Sequence, residues 1–268
     1  MLIGWFEAPF VFSLTVSLLA LFSIALLGWI YSVWVDEVSV VEPLWPIMVL
    51  VAAVVYSFLL GANDFLSNSL LLTISLWSLR MCYFMVIRSG YRPEQRKFRA
   101  MRRQLSASFH RKSLYLVFMS YALSAWIASV LFLLIIHFSV LGQLQWGILQ
   151  NIALFIWAIG FLIQVVADYQ LHKYNRQVVH VSGTYGRGLW RYSRHPNYFG
   201  ECCVWWAWFL MAMPSAHFFA LISPLYVTYL VVKVKAADAV EQEIASRRPD
   251  YQEYIKSTSF MVPWKPKF

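Results

Sequence analysis

The sequence predicts an all-α, polytopic integral membrane protein with seven transmembrane helices, an N-terminus outside and a cytosolic C-terminus. Of its 268 residues, 60% are hydrophobic and 13% are charged, whereas a soluble domain carries about 25% charged residues. No Lys or Arg occurs before Arg80, and all 22 fall in three blocks, at 80–112, 173–194 and 233–267. Long apolar runs separate these blocks, which indicates membrane spans joined by short loops.

Seven apolar runs are candidate spans, since a transmembrane helix needs about 20 mostly apolar residues. With seven spans, every basic block lies at the cytosolic face and the opposite loops carry no Lys or Arg, as the positive-inside rule requires. The sixth run is short, and Pro214 separates it from the seventh, so these two are expected to form a helical hairpin. The runs cover residues 10–31, 44–60, 66–87, 115–138, 146–167, 200–213 and 216–234.

The first three runs differ in how they begin. Residues 1–6 lack the basic region of a signal peptide, so the first run is expected to stay as an anchor. Glu42 and Pro43 precede the second run, where an acid and a proline suit the first turn of a helix. Arg80 lies inside the third run, and there it either snorkels to the interface or pairs with an anion inside the bundle.

The later runs are bounded by polar groups. The segment 96–112 precedes the fourth run and either sets topology and attracts anionic lipids or contacts a ligand. Asp168 ends the fifth run, with Gln164 one helical turn earlier on the same face. Asp168 is either an interfacial salt bridge or a partner for a ribose hydroxyl or a carboxamide. We favour the second because Gln164 sits deeper and has no surface role.

The segment GLWRYSRHPNYFGE, residues 188–201, is the densest polar cluster between two apolar runs. Pro196 disfavours helix before it and opens a helix after it, so Asn197 and Tyr198 occupy the first helical turn. The N–H groups of that turn, with Arg191 and Arg194, predict a site for an anionic ligand. Glu201 falls on the face of Asn197, four residues on. The alternative is a simple helix cap flanked by interfacial aromatic residues.

Several common sites are excluded by the sequence. There is no GxGxxG after a strand, no Walker A sequence, no Ser–His–Asp order, and no His or Cys spacing suited to zinc. The three cysteines lie inside apolar runs and form no disulfide framework. A nucleotide would therefore have to be held by helix ends and loops, and no metal site is predicted.

The string GLWRYSRHPNYFGE, with Asp168 upstream and YQEYIKSTSFMVPW at 251–264 downstream, resembles the steroid 5α-reductase family and its bacterial relatives. The resemblance runs from about Glu42 to the C-terminus. It implies a seven-helix bundle that binds NADPH at the cytosolic face and reduces the C4–C5 double bond of a 3-oxo-4-ene steroid. It further implies one domain, 1–268, with helices 1–4 mainly on the lipid-substrate side and about 150–268 mainly on the cofactor side.

The resemblance assigns roles residue by residue. The carbonyl-polarising Glu of the family is similar to Glu42, and Tyr83 is the nearest tyrosine to the family's partner of that Glu. The family's Asn-x-x-x-Asp pair is similar to Gln164 and Asp168, with Gln in place of Asn, and its later Asn and Glu match Asn197 and Glu201. Arg176 is our candidate for the 2′-phosphate. The predicted cofactor contacts are Arg80, Gln164, Asp168, Arg176, Arg191, Arg194, His195, Asn197, Tyr198, Glu201, Lys235 and Tyr254.

Two other functions fit part of the sequence. The core RHPNY also occurs in isoprenylcysteine carboxyl methyltransferases, which use S-adenosylmethionine, and in sterol C14 reductases. A lipid- or sterol-binding protein without activity is the third possibility, although a passive binder needs no carboxyl group beside Pro43. We expect a monomer in a bacterial inner membrane, with its site open to the cytosol. Its expected partners are membrane lipids and a steroid or lipid enone that enters from the bilayer, and no nucleic acid.

Overall fold

The computed structural model describes residues 8–89, 94, 96–177, 186–213, 218–235, 245–246 and 249–267. Every regular element in this part of the chain is helical. Short 3₁₀ turns lie at Val38–Val40, Ser106–Ser108, Gly188–Arg191 and Phe218–Leu221, and π-helical segments at Leu114–Met119 and Leu230–Lys235. The α-helices are α1 Ala8–Val35, α2 Val41–Leu59, α3 Phe65–Ser89, α4 Arg96–Leu105, α5 Phe109–Ser113, α6 Ser120–Val140, α7 Ile148–Gln177, α8 Pro196–Ala212, α9 Ile222–Tyr229 and α10 Pro249–Ser257.

Five helical stretches are long and apolar enough to cross a membrane. They overlap the first five predicted spans, which extend beyond them by at most two residues, so the prediction of an all-helical membrane protein is confirmed at this level. The sixth and seventh predicted spans fall on α8 and on the apolar stretch Phe219–Val232, which are shorter than a typical span. The five stretches are Ala8–Val35, Val38–Leu59, Phe65–Ile87, Lys97–Val140 and Ile148–Tyr174.

The chain divides into two compact units. Unit 1 comprises residues 1–146 and 212–223, and unit 2 comprises residues 147–211 and 224–268. Within unit 1, α2 packs against α1, α3 and α6. Small and branched residues on α2 allow this close packing, because Ala52, Ala53 and Val49 are completely buried.

A buried hydroxyl network joins three helices of unit 1. The Tyr56 side chain of α2 is completely buried. Its hydroxyl oxygen accepts a hydrogen bond from Ser17 Oγ of α1 at 3.0 Å and lies 2.9 Å from Ser129 Oγ of α6. Because water cannot satisfy polar groups inside an apolar bundle, these mutual bonds allow the three hydroxyls to be buried there.

Asp64 joins the start of α3 to the end of α6. Its carboxylate accepts hydrogen bonds from Ser67 N at 2.9 Å, from Ser67 Oγ at 2.7 Å and from Ser139 Oγ at 2.6 Å. Partial burial raises the pKa of Asp64, but the hydrogen bonds from Ser139 and Ser67 outweigh it, and the pKa lies below its ordinary value. The residue is therefore a helix cap that favours its charged form.

We expect Asp64→Asn to lower the thermal stability of the protein at neutral pH. Because the folded pKa of Asp64 lies below its unfolded value, its contribution is present above the unfolded pKa and is lost as pH falls through the folded pKa. The difference in Tm between wild type and variant in detergent should thus stay constant from about pH 7 to about pH 5 and shrink as the pH falls below about 4. Glu253→Gln, which changes an exposed acid of α10, is the control. A difference in Tm that does not change with pH would contradict the assignment.

In unit 2, α7 and α8 cross at two glycines. A Cβ atom on Gly200 would lie 2.6 Å from the carbonyl oxygen of Gly160 and 2.7 Å from Gln164 Cγ. A Cβ on Gly160 would lie 2.9 Å from the carbonyl oxygen of Gly200. Only residues without a side chain permit this approach, which is a common way to pack helices in membranes. The crossing brings the polar faces of both helices into contact.

Candidate functional site

A ladder of polar contacts extends from the glycine crossing toward the start of α8. Gly160 meets Gly200, Gln164 meets Glu201, and Asp168 meets Asn197. A Cβ on Gly160 would also lie 3.1 Å from Val204 N. From Gly160 to Asp168 along α7, the contacts therefore move back along α8 from Val204 to Asn197, which shows that the two helices run antiparallel. The three α7 residues are four positions apart, about one turn, so their contacts lie along one line between the helices, here called the seam. The sequence predicted that Gln164 shares a face with Asp168, and Asn197 with Glu201; the structure shows that the two faces meet.

The middle contact of the seam is buried. Gln164 Nε2 donates to Glu201 Oε2 at 2.6 Å, and Trp205 Nε1 donates to Glu201 Oε1 at 2.9 Å. Gln164 is completely buried and Glu201 is 4% exposed. Both carboxyl oxygens therefore have a donor inside the helix pair. Trp205 was not predicted, although its position one turn after Glu201 was visible in the sequence.

The outer contact of the seam is accessible. Asn197 Nδ2 donates to Asp168 Oδ1 at 3.2 Å, and both side chains are only partly buried. A carboxylate and an amide in this position can accept from and donate to the hydroxyl or carboxamide groups of a ligand. The buried Gln164–Glu201 contact lies one turn deeper and fixes the helix faces that present Asp168 and Asn197.

The segment before α8 is held against α7 at its glycine. Gly188 has a φ of +61°, and a Cβ there would lie 2.5 Å from the Gln170 amide nitrogen. Leu189 N donates to Gln170 Oε1 at 3.1 Å, and Trp190 Nε1 donates to the carbonyl oxygen of Ala167 at 3.1 Å. The Gly-Leu-Trp sequence thus places the following residues beside the end of the seam.

The C-terminal segment also holds the loop 188–195 in place. Tyr254, a predicted cofactor contact, donates its hydroxyl to the carbonyl oxygen of Trp190 and lies 3.3 Å from that of Ser193. Arg194 N donates to the carbonyl oxygen of Ser259 at 2.8 Å, and Ser193 Oγ donates to that of Met261 at 2.7 Å. In this arrangement the Tyr254 hydroxyl supports the loop 188–195.

The cationic and aromatic residues beside the start of α8 form a small cluster. The ring of His195 stacks on Tyr198, with centroids 4.9 Å apart, and meets Phe260 edge-on at 5.2 Å. The guanidinium carbon of Arg194 lies 5.4 Å from the Phe260 centroid, a cation–π distance. Arg191 is exposed. The cluster therefore gathers positive charge where Asp168 and Asn197 are presented.

The backbone of this turn is already hydrogen-bonded. His195 N donates to Ser193 Oγ at 3.1 Å. Tyr198 N and Phe199 N both lie 3.1 Å from the carbonyl oxygen of His195, to which they donate. The sequence predicted that N–H groups of this turn would bind an anion. These three have acceptors inside the protein, so the guanidinium groups of Arg191 and Arg194 are the better candidates for anion binding.

An open cleft of about 500 Å³ lies on unit 2 beside this loop. It is lined by Tyr192, Pro263, Trp264 and Lys265, and Trp264 N donates to the carbonyl oxygen of Tyr192 at 2.9 Å. Its volume lies in the range of small-molecule sites. Aromatic faces and a cation suit a flat ring that carries an anionic group.

Unit 1 contains a second polar group, the Glu42–Lys97–Tyr121 cluster. Lys97 Nζ donates to Glu42 Oε1 at 2.8 Å and to the Tyr121 hydroxyl oxygen at 3.1 Å, so the ammonium bridges α2, α4 and α6. The same nitrogen lies 4.6 Å from the Phe98 ring centroid. The Glu42 side chain is 14% exposed and that of Lys97 is 51% exposed. Glu42 was predicted; Lys97 and Tyr121 were missed, because contacts 55 and 24 residues apart leave no local signal.

Arg102 anchors α4 and so positions Lys97. Its Nη1 lies 2.6 Å from Asp36 Oδ1, and its Nη2 lies 2.9 Å from Glu94 Oε1. The guanidinium also packs 4.4 Å from the Phe109 centroid. Two carboxylates and an aromatic face hold one guanidinium in place, which is the geometry that arginine favours over lysine.

The remaining predicted residues lie apart from these contacts or outside the described side chains. Tyr83, predicted as the catalytic tyrosine, is 62% exposed and meets Phe84 edge-on. Arg80 is 9% exposed within unit 1, and its guanidinium lies 5.8 Å from the Phe84 ring centroid. The side chains of Arg176 and Lys235 lie outside the described residues.

Comparison with known proteins places the chain in a family. Residues 28–258, from α1 into the C-terminal segment, match the profile of a family described as "Protein of unknown function (DUF1295)". The chain belongs to this family. The DUF1295 match contains both the Glu42–Lys97–Tyr121 cluster and the seam between α7 and α8.

The sequence of this DUF1295 member is also similar to one from fission yeast. It is 27% identical over 228 residues to the uncharacterized protein C594.04c of Schizosaccharomyces pombe. The aligned region covers 75% of this chain and 64% of the yeast protein, so the chain spans less than two thirds of that relative's length. No solved structure matches the chain.

Proposed function

We propose that this chain is an NADPH-dependent reductase that saturates the C4–C5 double bond of a 3-oxo-4-ene steroid or a similar lipid enone. The observation that carries the proposal is the Asp168–Asn197 contact at 3.2 Å beside Arg194 and His195 at the start of α8. These residues occupy the positions at which the sequence resembles the steroid 5α-reductase family. The apolar helices suit a substrate that enters from the bilayer.

The residues at the end of the seam fit the chemistry of a dinucleotide. Asp168 and Asn197 are partly exposed and can bind hydroxyl and carboxamide groups. Arg191 and Arg194 supply the charge that phosphates require, and Arg176 is the candidate for the 2′-phosphate. Gln164 and Glu201 act from within the helix pair by holding its faces in register. When bound, the nicotinamide supplies hydride; the protein orients the ligands and excludes water.

The proposed topology follows the distribution of the basic residues. We propose that α8 and Phe219–Val232 complete a seven-span chain with its basic segments on the cytosolic side of a bacterial inner membrane. A multiply anionic cofactor would then approach a face that carries cations, while an apolar enone would enter laterally from the lipid. The active form in this proposal is a monomer.

The first experiment separates the reductase from the methyltransferase by binding. The full chain in lipid nanodiscs would be titrated by calorimetry with NADPH, NADH and S-adenosylmethionine in turn. We expect NADPH to bind most tightly. Asp168→Ala should weaken that binding by about tenfold or more, because it removes a charged hydrogen-bond acceptor. Glu253→Gln is the matched control and should bind as wild type does.

The second measurement follows the product. Progesterone and NADPH would be incubated with the nanodiscs, and a gain of two hydrogens would be sought by mass spectrometry. No binding of NADPH together with no reduced product would sink the reductase proposal. Binding of S-adenosylmethionine alone would move the assignment to a methyltransferase.

A further inference from the structure

The Glu42–Lys97–Tyr121 cluster contains an oriented hydroxyl donor. The oxygen of Tyr121 accepts a hydrogen bond from the Lys97 ammonium at 3.1 Å. Its own proton must therefore point away from Lys97, and within the described part of the chain no residue accepts it. A hydroxyl that accepts from a cation becomes a stronger donor, because hydrogen bonds in a chain polarise one another.

The cluster can be reached by a ligand. The Lys97 side chain is 51% exposed, and Tyr121 is only partly buried. Glu42, at 14% exposure, lies on the inner side and holds the ammonium by an ion pair of 2.8 Å. The positive end of the cluster and the free O–H of Tyr121 are thus its accessible features, and they are complementary to an oxygen that carries negative charge.

Such an oxygen develops when an enone is reduced. As the β-carbon gains a hydride, the electron pair of the carbon–carbon double bond forms a new double bond between the α-carbon and the carbonyl carbon. The π pair of the carbonyl group moves onto its oxygen, which gives an enolate. Water then donates a proton to the α-carbon and leaves as hydroxide, and the electron pair on oxygen re-forms the ketone. A donor held beside that oxygen throughout lowers the barrier without itself losing its proton.

We propose that Tyr121 is the catalytic hydrogen-bond donor to the carbonyl oxygen of the lipid enone. Lys97 and Glu42 are positioning residues: Lys97 orients and polarises the hydroxyl, and Glu42 anchors Lys97. The proposal rests on the proposed reductase function for its chemistry. In this proposal Glu42 acts on the carbonyl group indirectly, through Lys97. The catalytic hydroxyl is that of Tyr121 on α6, whereas the sequence suggested Tyr83 on α3.

The test reads the carbonyl group directly and needs no turnover. A 3-oxo-4-ene steroid labelled with ¹³C at its carbonyl would be bound to the full chain in nanodiscs without cofactor. Isotope-edited infrared difference spectra would then give the stretching frequency of the bound carbonyl. We expect this frequency to be lower than in an apolar solvent. It should rise toward the apolar-solvent value in Tyr121→Phe and rise less in Lys97→Met.

Tyr115→Phe is the matched control, because it removes a hydroxyl that is 70% exposed in the same helical stretch. Its carbonyl frequency should equal that of wild type. An unchanged frequency in Tyr121→Phe would overturn the proposal, as would failure of the labelled steroid to bind. Thermal unfolding of each variant shows whether it is folded, and Glu42→Gln provides a second route if Lys97→Met does not fold.

Kinetics would then separate a catalytic from a structural role. In the steady state, Tyr121→Phe should lower kcat by about 10²–10³-fold, with a much smaller change in KM, as loss of an oxyanion donor does. Enone reduction by Tyr121→Phe at the wild-type rate would overturn the Tyr121 assignment and leave the reductase intact. A shifted carbonyl frequency in a protein that binds no NADPH would overturn the reductase function and leave the carbonyl site standing.

Discussion

Gly200→Ala should destabilise the protein more than other single changes of one methyl group in α7 or α8. Its Cβ would lie 2.6 Å from the carbonyl oxygen of Gly160 and 2.7 Å from Gln164 Cγ. The nearest atom is a backbone oxygen, which cannot rotate away as a side chain can, so the two helices themselves must separate. Overpacking of this kind costs typically about 1–3 kcal/mol, and we expect the upper end of that range. For a chain of this size, this loss lowers Tm by roughly 10 °C.

The measurement is thermal unfolding in nanodiscs, followed by tryptophan fluorescence. Gly147→Ala is the control, because a Cβ at Gly147 would meet Gln150 Oε1 at an ordinary 3.5 Å. Separation of the helices should also weaken nucleotide binding, since it moves Asp168 relative to Asn197. A Gly200→Ala protein with the Tm of the control would show that the crossing is looser than the structure describes.

Glu201→Ala should lower the free energy of unfolding by a similar amount, for a different reason. Its carboxyl group accepts from Gln164 Nε2 at 2.6 Å and from Trp205 Nε1 at 2.9 Å, and removal leaves both donors buried without that acceptor. Loss of the acceptor costs about 1–3 kcal/mol for each buried donor, so for these two donors the free energy of unfolding should fall by about 2–6 kcal/mol. Glu201→Gln retains one acceptor oxygen and should cost less.

Chemical unfolding of wild type, Glu201→Ala, Glu201→Gln and Trp205→Phe would measure this series. Trp205→Phe removes one donor and leaves the carboxyl group, so its loss should be smaller than that of Glu201→Ala. Equal stabilities of Glu201→Ala and wild type would show that Gln164 and Trp205 find other partners. Binding of NADPH to Glu201→Gln would then report whether the seam presents Asp168 and Asn197 as before.

The sequence predicted the apolar helices well because their signal is local. An apolar run of 20 residues reports membrane burial whatever surrounds it, and the runs 10–31 and 66–87 lie wholly inside α1 and α3. The pairs Gln164–Asp168 and Asn197–Glu201 were visible because four-residue spacing defines one helix face. Pro196 marked the first residue of α8 for the same local reason.

The sequence did not predict which helix face packs against which other face. The contact between Gln164 and Glu201 joins residues 37 apart, and two glycines whose backbones touch decide its register. The C-terminal segment was expected to supply a cofactor contact through Tyr254, and in the structure its hydroxyl supports the loop 188–195. No periodicity in either segment predicts such a contact.

The choice of a tyrosine in unit 1 depended on the same kind of information. Tyr83 was predicted because it is near in sequence to the expected position, and its side chain is 62% exposed and packs against Phe84. Tyr121 and Glu42 are joined by Lys97, a residue of the basic segment 96–112 for which the sequence left both a topological role and a ligand contact open. By itself the sequence determined the helices, their burial in lipid and the polar faces they carry, because these depend on neighbouring residues. The tertiary structure decided which polar groups meet, because that depends on how the helices cross.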